Sequence, residues 1–150
     1  MAECFWIDTN LLLRLITEDP EGMTKETLEL VSFVDRGAIK LRASSMVVAE
    51  CVWVLESVYE HKPGEIAKAL RRYLTSNVIE FDEKEVVEGA LDDYEQHNVD
   101  FIDAYVARKA KFSTTPRIIT WDRDFRRLDI EWFKPPEIVK RVKEAQGQRE

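Results

Sequence analysis

The sequence predicts an α/β sandwich, a parallel sheet covered by helices on both faces. Three observations carry that expectation. Short apolar runs alternate with longer segments whose apolar residues recur at helical spacing. The chain has 150 residues, the length of one domain, with no internal repeat or compositional break. Only 5 Gly and 5 Pro stand against 45% hydrophobic and 34% charged residues. That composition excludes disorder, collagen-like repeats and low-complexity linkers as the main state. A single domain over residues 1–150 is expected, burying roughly 68–70% of its unfolded surface without staples.

Taken in order, residues 4–7 read as a strand that ends at Asp8-Thr9-Asn10. Residues 11–16 take up a helical pattern, with Thr9 or Asn10 able to cap it. Residues 24–36 place Leu28, Val31 and Val34 on one face and stop at Gly37, suited to the C′ position. Residues 39–43 form a second strand, and Ser44 or Ser45 caps an apolar helix over 46–59, before Pro63. Residues 64–75 form a helix with a basic stripe of Lys68, Arg71 and Arg72. A short strand, 78–81, precedes an acidic helix, 83–97, and a further helix, 101–112. Residues 117–120 form a strand ending at Trp121-Asp122, followed by a turn or short helix (123–128) and a last strand (130–133). Pro135-Pro136 opens a C-terminal helix to about residue 145, because proline suits the first helical turn. In sheets of this kind ligands gather at the carboxyl ends of the strands, where Asp8 and Asp122 stand.

Cys4 and Cys51 each lie in an apolar run and make no disulfide framework, so both are expected to be buried thiols in a reducing compartment. No basic n-region precedes an apolar stretch, so no signal peptide is expected. The apolar run 44–55 is interrupted by Glu50 and is too short to cross a bilayer. A cytoplasmic protein follows. His61 and His97 sit in polar company without metal-ligand spacing and are expected at the surface.

Three acids stand in apolar surroundings. Asp8 is the only charge between Glu3 and Arg14, Glu50 the only one between Arg42 and Glu56, and Asp103 the only one between Asp100 and Arg108. Singly, each is more readily a cap, an ion pair or a half-exposed residue, though Glu50 lies too far into its helix to cap it. Buried and unpaired, each would cost several kcal/mol or be protonated. Two acids at strand ends and two in apolar helices, in one α/β chain, favour a cation. Carboxylates without a His or Cys cluster suit a hard ion such as Mg²⁺ or Mn²⁺, and such a site serves phosphoryl chemistry.

Trp6-Ile-Asp8-Thr-Asn10-Leu-Leu-Leu-Arg14-Leu, Val48-Ala-Glu50-Cys-Val-Trp-Val-Leu55, Asp100-Phe-Ile-Asp103-Ala-Tyr and Ile119-Thr120-Trp-Asp122-Arg-Asp124-Phe125 follow one another in that order. Together they resemble the four acidic motifs of PIN domains, over residues 6–133. The resemblance implies a three-layer α/β/α sandwich with a central, mainly parallel twisted sheet. Among PIN proteins the short single-domain kind resembles VapC-type toxins, ribonucleases of toxin–antitoxin pairs. Asp8, Glu50, Asp103 and Asp122 would then be the catalytic acids binding one or two Mg²⁺ or Mn²⁺ ions. Thr9, Asn10 and Thr120 would be supporting polar residues, and Asp100 and Asp124 extra acids able to share a ligand role. The resemblance implies hydrolysis of RNA phosphodiesters, a homodimer and an antitoxin partner. Trp121 is a large ring before Asp122, where the family varies, and is expected in the core or the cleft wall, with base stacking as the sharper alternative; Trp53 is expected in the core.

Three other readings compete. A haloacid-dehalogenase-type phosphatase needs Asp-x-Asp, and Asn10 holds the third place; a receiver domain lacks its lysine and acidic pair here. A PIN-like scaffold that binds a protein without cutting RNA would leave the acids structural. The overall charge of −7 disfavours nucleic acid, but its distribution does not. Residues 80–103 carry a net −9 and residues 104–127 a net +5. The basic stretch surrounds the fourth motif, and Arg123 and Arg126 are the expected phosphate contacts.

Overall fold

A computed structural model describes residues 2–19 and 21–148. Strands β1 (Glu3–Trp6), β2 (Ile39–Ala43) and β3 (Ile79–Phe81) form a parallel ladder in the order β1-β2-β3. Phe5 stands beside Leu41, and Leu41 beside Ile79. Strands β4 (Arg117–Ile119) and β5 (Glu131–Phe133) form a second, also parallel, ladder. Helices α1 (Thr9–Thr17), α2 (Glu21–Asp35), α3 (Ser45–Ser57), α4 (Pro63–Leu74), α5 (Lys84–Gln96), α6 (Phe101–Lys111) and α7 (Pro135–Gly147) flank the strands. A 3₁₀ turn, Arg123–Arg127, links β4 to β5. The predicted α/β architecture is the one observed, with the sheet divided into two ladders.

Local chemistry explains most boundaries. The Asp8 carboxylate, rather than Thr9 or Asn10, caps α1 by accepting from the Leu11 N–H at 3.0 Å. Helix α2 ends in a Schellman motif: Gly37 adopts φ 77°, its N–H reaches the Val34 carbonyl, and the Ala38 N–H reaches that of Phe33. The Ser44 hydroxyl accepts from the Val47 N–H at 3.2 Å and starts α3. Pro63 and Pro135 occupy first turns, where a missing N–H is harmless.

The core joins Leu12, Leu41, Val48, Leu55, Ile66, Leu70, Val87 and Leu91, all buried. Around it the acidic helix α5 is largely neutralised from within the fold. Arg71 of α4 reaches Asp92 at 2.6 Å and Glu95 at 2.7 Å. Arg108 of α6 grips the buried Asp93 through two bonds, at 2.6 and 2.9 Å. The Arg108 side chain passes close over Gly89, where a Cβ would stand 2.9 Å from Arg108 Cδ. A side chain at position 89 would force Arg108 to shift.

Three sequence expectations change. Cys4 is exposed because all four residues of β1 are exposed; Cys51 is buried as expected. Trp53 is exposed, since the inward stripe of α3 is Val48, Cys51, Val52 and Leu55. Trp121 is exposed beyond the end of β4, which excludes the core but not a cleft wall, since it lines a cavity with Pro135, Pro136 and Val139. Among the described residues no helix is long and apolar enough to cross a membrane.

Candidate functional site

Asp8 leaves the carboxyl end of β1 and is exposed, with one oxygen committed to capping α1. Beside it Thr9 is buried, and the Asn10 carboxamide oxygen accepts from Arg14 at 2.7 and 3.0 Å. Asp8, Asn10 and Arg14 share a shallow cavity with Met23, Glu26 and Thr27.

Glu50 is exposed, not enclosed as its apolar neighbours in sequence predict. Helix α3 is apolar nearly all round, and Glu50 lies off its inward stripe. It borders a cavity of about 480 Å³ with Met46, Trp53, Ile102 and Tyr105. Inside the helix, burial first, and the Glu50 charge second, push the Cys51 thiol up to about 12. That thiol is unreactive at neutral pH.

Asp103 sits in the first turn of α6 and is half-buried. Its carboxyl is held above the ordinary carboxylate range by burial first, then by the charges of Asp122 and Asp100, by a hydrogen bond with Asp122, and by the charge of Asp124. Asp122 is positioned from two sides. The Thr120 hydroxyl accepts from its backbone N–H at 2.9 Å, and its own Oδ1 accepts from the Asp124 N–H at 2.8 Å, capping the 3₁₀ turn. Asp124 has Arg127 at 3.5 Å. The structure therefore brings Asp100, Asp122 and Asp124 close enough to Asp103 for each to act on its carboxyl. Among the described residues no group of three or more His, Cys, Asp or Glu side chains closes into a ready metal cage.

The donor set is nonetheless of the kind a hard divalent ion takes: carboxylate oxygens crowded at the ends of elements, with their mutual repulsion unrelieved at Asp103. The nearby Lys109 is committed to Glu83 at 2.9 Å. Arg123 and Arg126, on the turn after Asp122, are exposed and enter none of the ion pairs among the described residues. His97 is exposed and His61 partly so.

One element escaped sequence reasoning. Glu83 binds Ser45 at the start of α3 at 2.5 Å and Tyr105 of α6 at 2.6 Å, together with Lys109. These contacts hold its carboxyl down to about 2, the Ser45 hydrogen bond contributing most. Glu83 thereby ties the helix carrying Glu50 to the helix carrying Asp103. Its partners lie 38 and 22 residues away, so no local pattern announces it. Its left-handed backbone, φ 52°, at the start of α5 is equally silent in sequence.

Comparison with protein families matches residues 6–131 to the PIN domain. Comparison with curated proteins finds no match.

Proposed function

The chain belongs to the PIN domain family, whose members are generally nucleases, and on that premise we propose that it is a Mg²⁺- or Mn²⁺-dependent endoribonuclease of the VapC type. In this reading it is a single-domain, cytoplasmic toxin that works as a homodimer and is restrained by a cognate antitoxin. The observation that carries the reading is the Asp103–Asp122 contact, two carboxyls pressed together with Asp100 and Asp124 beside them.

Asp8, Glu50, Asp103 and Asp122 would hold the ion or ions, with Asp100 or Asp124 able to share a ligand role. A bound divalent ion supplies Lewis acidity to a phosphate oxygen, acidifies water and offsets charge in the transition state. The chain's own residues do the positioning. Thr120 fixes the backbone of Asp122, whose second carboxylate oxygen is not used by the cap. Arg14 orients Asn10 beside Asp8. Glu83 holds α3 and α6 at a fixed separation, so Glu50 and Asp103 keep their places. Arg123 and Arg126 offer their guanidinium groups to the RNA backbone next to Asp122.

Labelled RNA incubated with the protein and Mn²⁺ tests the reading, with EDTA and the Asp103→Asn variant in parallel. Cleavage should require the ion and disappear in the variant. Cleavage that persists in EDTA, or in Asp103→Asn, refutes the metal-nuclease assignment. Intact RNA throughout would favour the protein-binding scaffold.

A further inference from the structure

The ring of Trp121 is 68% exposed although the backbone on either side of it is fixed. The Thr120 N–H donates to the Phe133 carbonyl at 2.9 Å, carrying the β4–β5 ladder one residue past its end, and the Thr120 hydroxyl accepts from the Asp122 N–H. Ile119 stands beside Phe133. Two residues beyond that pair, Trp121 and Pro135 line one open groove of about 610 Å³ with Pro136 and Val139. Val139 is exposed, and α7 buries none of its residues. An aromatic ring left in water forgoes its burial, and covering it costs little freedom because only two side-chain torsions need ordering.

The charges of the groove say what covers it. Lys140 and Lys143, both exposed, line it from α7. Among the described residues Lys84, Lys109 and Lys111 pair with acids, whereas Lys140 and Lys143 enter no ion pair. Glu144 also lines the groove and leaves both lysines unpaired, and Glu137 is engaged by the Lys134 N–H. On the turn that follows the ring, Arg123 and Arg126 are exposed and equally uncommitted. A chain of net −7 thus gathers four free cations on the groove wall and the turn beside it. An amphipathic protein helix would need a long apolar stripe to dock against. An exposed aromatic ring among free cations instead takes single-stranded nucleic acid, a base on the ring and phosphates on the cations.

We propose that Trp121 is a platform on which one base of single-stranded RNA stacks beside the phosphodiester that is cut, while Lys140 and Lys143 hold phosphates of the strand leading away from it. The placement beside the cut rests on the nuclease reading above and adds to it a residue that selects unpaired RNA. Trp121 directly precedes Asp122 in the chain, so a base on the ring belongs to a nucleotide next to the phosphate at Asp122. A base inside a duplex is already stacked and must first be pulled out, which disfavours double-stranded RNA. Every base has a π-face, so the platform reads strandedness rather than sequence.

The test reads binding apart from cutting. Fluorescence anisotropy follows a short labelled single-stranded RNA added to the Asp103→Asn chain with Mg²⁺, so that the strand stays whole. In that background Trp121→Ala, with an unchanged circular dichroism spectrum, should weaken binding by about 5- to 150-fold, and Trp121→Phe should recover most of the loss. On an abasic strand of equal length, the ribose-phosphate backbone without bases, Trp121→Ala should change nothing. Replacing Lys140 and Lys143 together by Gln should weaken both ligands alike and flatten the salt dependence, by about 0.7 in log–log slope for each lysine. Unchanged RNA affinity in Trp121→Ala overturns the platform and leaves the groove to a protein ligand. An equal loss on the abasic strand also overturns it, because the ring then acts on the backbone or on the fold. Either result can stand while wild-type protein cuts RNA, and the nuclease reading then survives alone. If binding depends on Trp121 but wild-type protein cuts nothing, the platform stands as a binding site and the nuclease reading fails. If RNA is neither bound nor cut, both fail.

Discussion

Replacing Glu83 by Gln removes a charge from the contact that joins α3 to α6 while keeping the shape of the side chain. In the folded protein the carboxyl stands at about 2 against an ordinary 4.5, through hydrogen bonds from Ser45, Tyr105 and Lys109. By linkage that difference corresponds to about 3 kcal/mol. The side chain is 30% exposed, and screening by water brings the expected effect to about 1–2 kcal/mol. Because the folded value lies below the unfolded one, the stabilisation is complete above pH 4.5 and fades as pH falls through 2. Urea unfolding at pH 7 should therefore show the variant less stable by about 1–2 kcal/mol, a lowering of Tm by roughly 2–8 °C. At pH 2.5 about a quarter of that gap should remain. A gap that does not change with pH would mean the carboxyl's charge contributes nothing. The absence of a gap at pH 7 would mean the helix contact is not held by Glu83 at all.

Three further outcomes follow from the same structure. Asp103→Asn should abolish RNA cleavage yet raise stability by roughly 0.5–1 kcal/mol in metal-free buffer, because it removes a charge pressed by Asp122 and Asp100; thermal melts in EDTA measure this, and a lower Tm contradicts it. Gly89→Ala should destabilise by about 1–3 kcal/mol, since its Cβ would collide with Arg108 and loosen that residue's hold on buried Asp93; denaturant midpoints check it, and a neutral result would show that Arg108 moves aside freely. In a Cys4→Ser background Cys51 should resist alkylation at pH 8 until the protein is unfolded, as a buried thiol pushed up to about 12 requires; mass spectrometry after timed quenching reads the modification.

Much of the fold was legible because its determinants are local. Apolar spacing, Ser44, Gly37, the stop before Pro63 and the first-turn Pro135 fixed nearly every element to within a few residues. The acids were legible as a set because charges in apolar company are expensive to leave unmatched. Legibility ended where partners are distant in the chain. Nothing near Asp93 distinguishes it from the solvated acids around it; Arg108, 15 residues later and on another helix, takes it into the interior. Glu50 misled for the opposite reason, since an apolar stretch around the whole circumference of α3 does not say which side faces water. The division of the strands into a β1-β2-β3 and a β4-β5 ladder was likewise invisible, because strand propensity carries no record of which neighbour each edge meets.

The position of the acids along their elements has an electrostatic consequence of its own. Asp8 and Asp100 hold N-cap positions of α1 and α6, and Asp103 lies in the first turn of α6. A helix N-terminus presents unpaired backbone N–H groups equivalent to about half an elementary positive charge. The backbone thus acts as a standing, partial counterion, present as soon as the helices form. It lets a chain already carrying −7 gather carboxylates before any ion arrives. At Asp8 the arrangement also separates charge from scaffold: asparagine caps a helix about as well as aspartate, so the carboxylate can be removed there while the start of α1 stays in place.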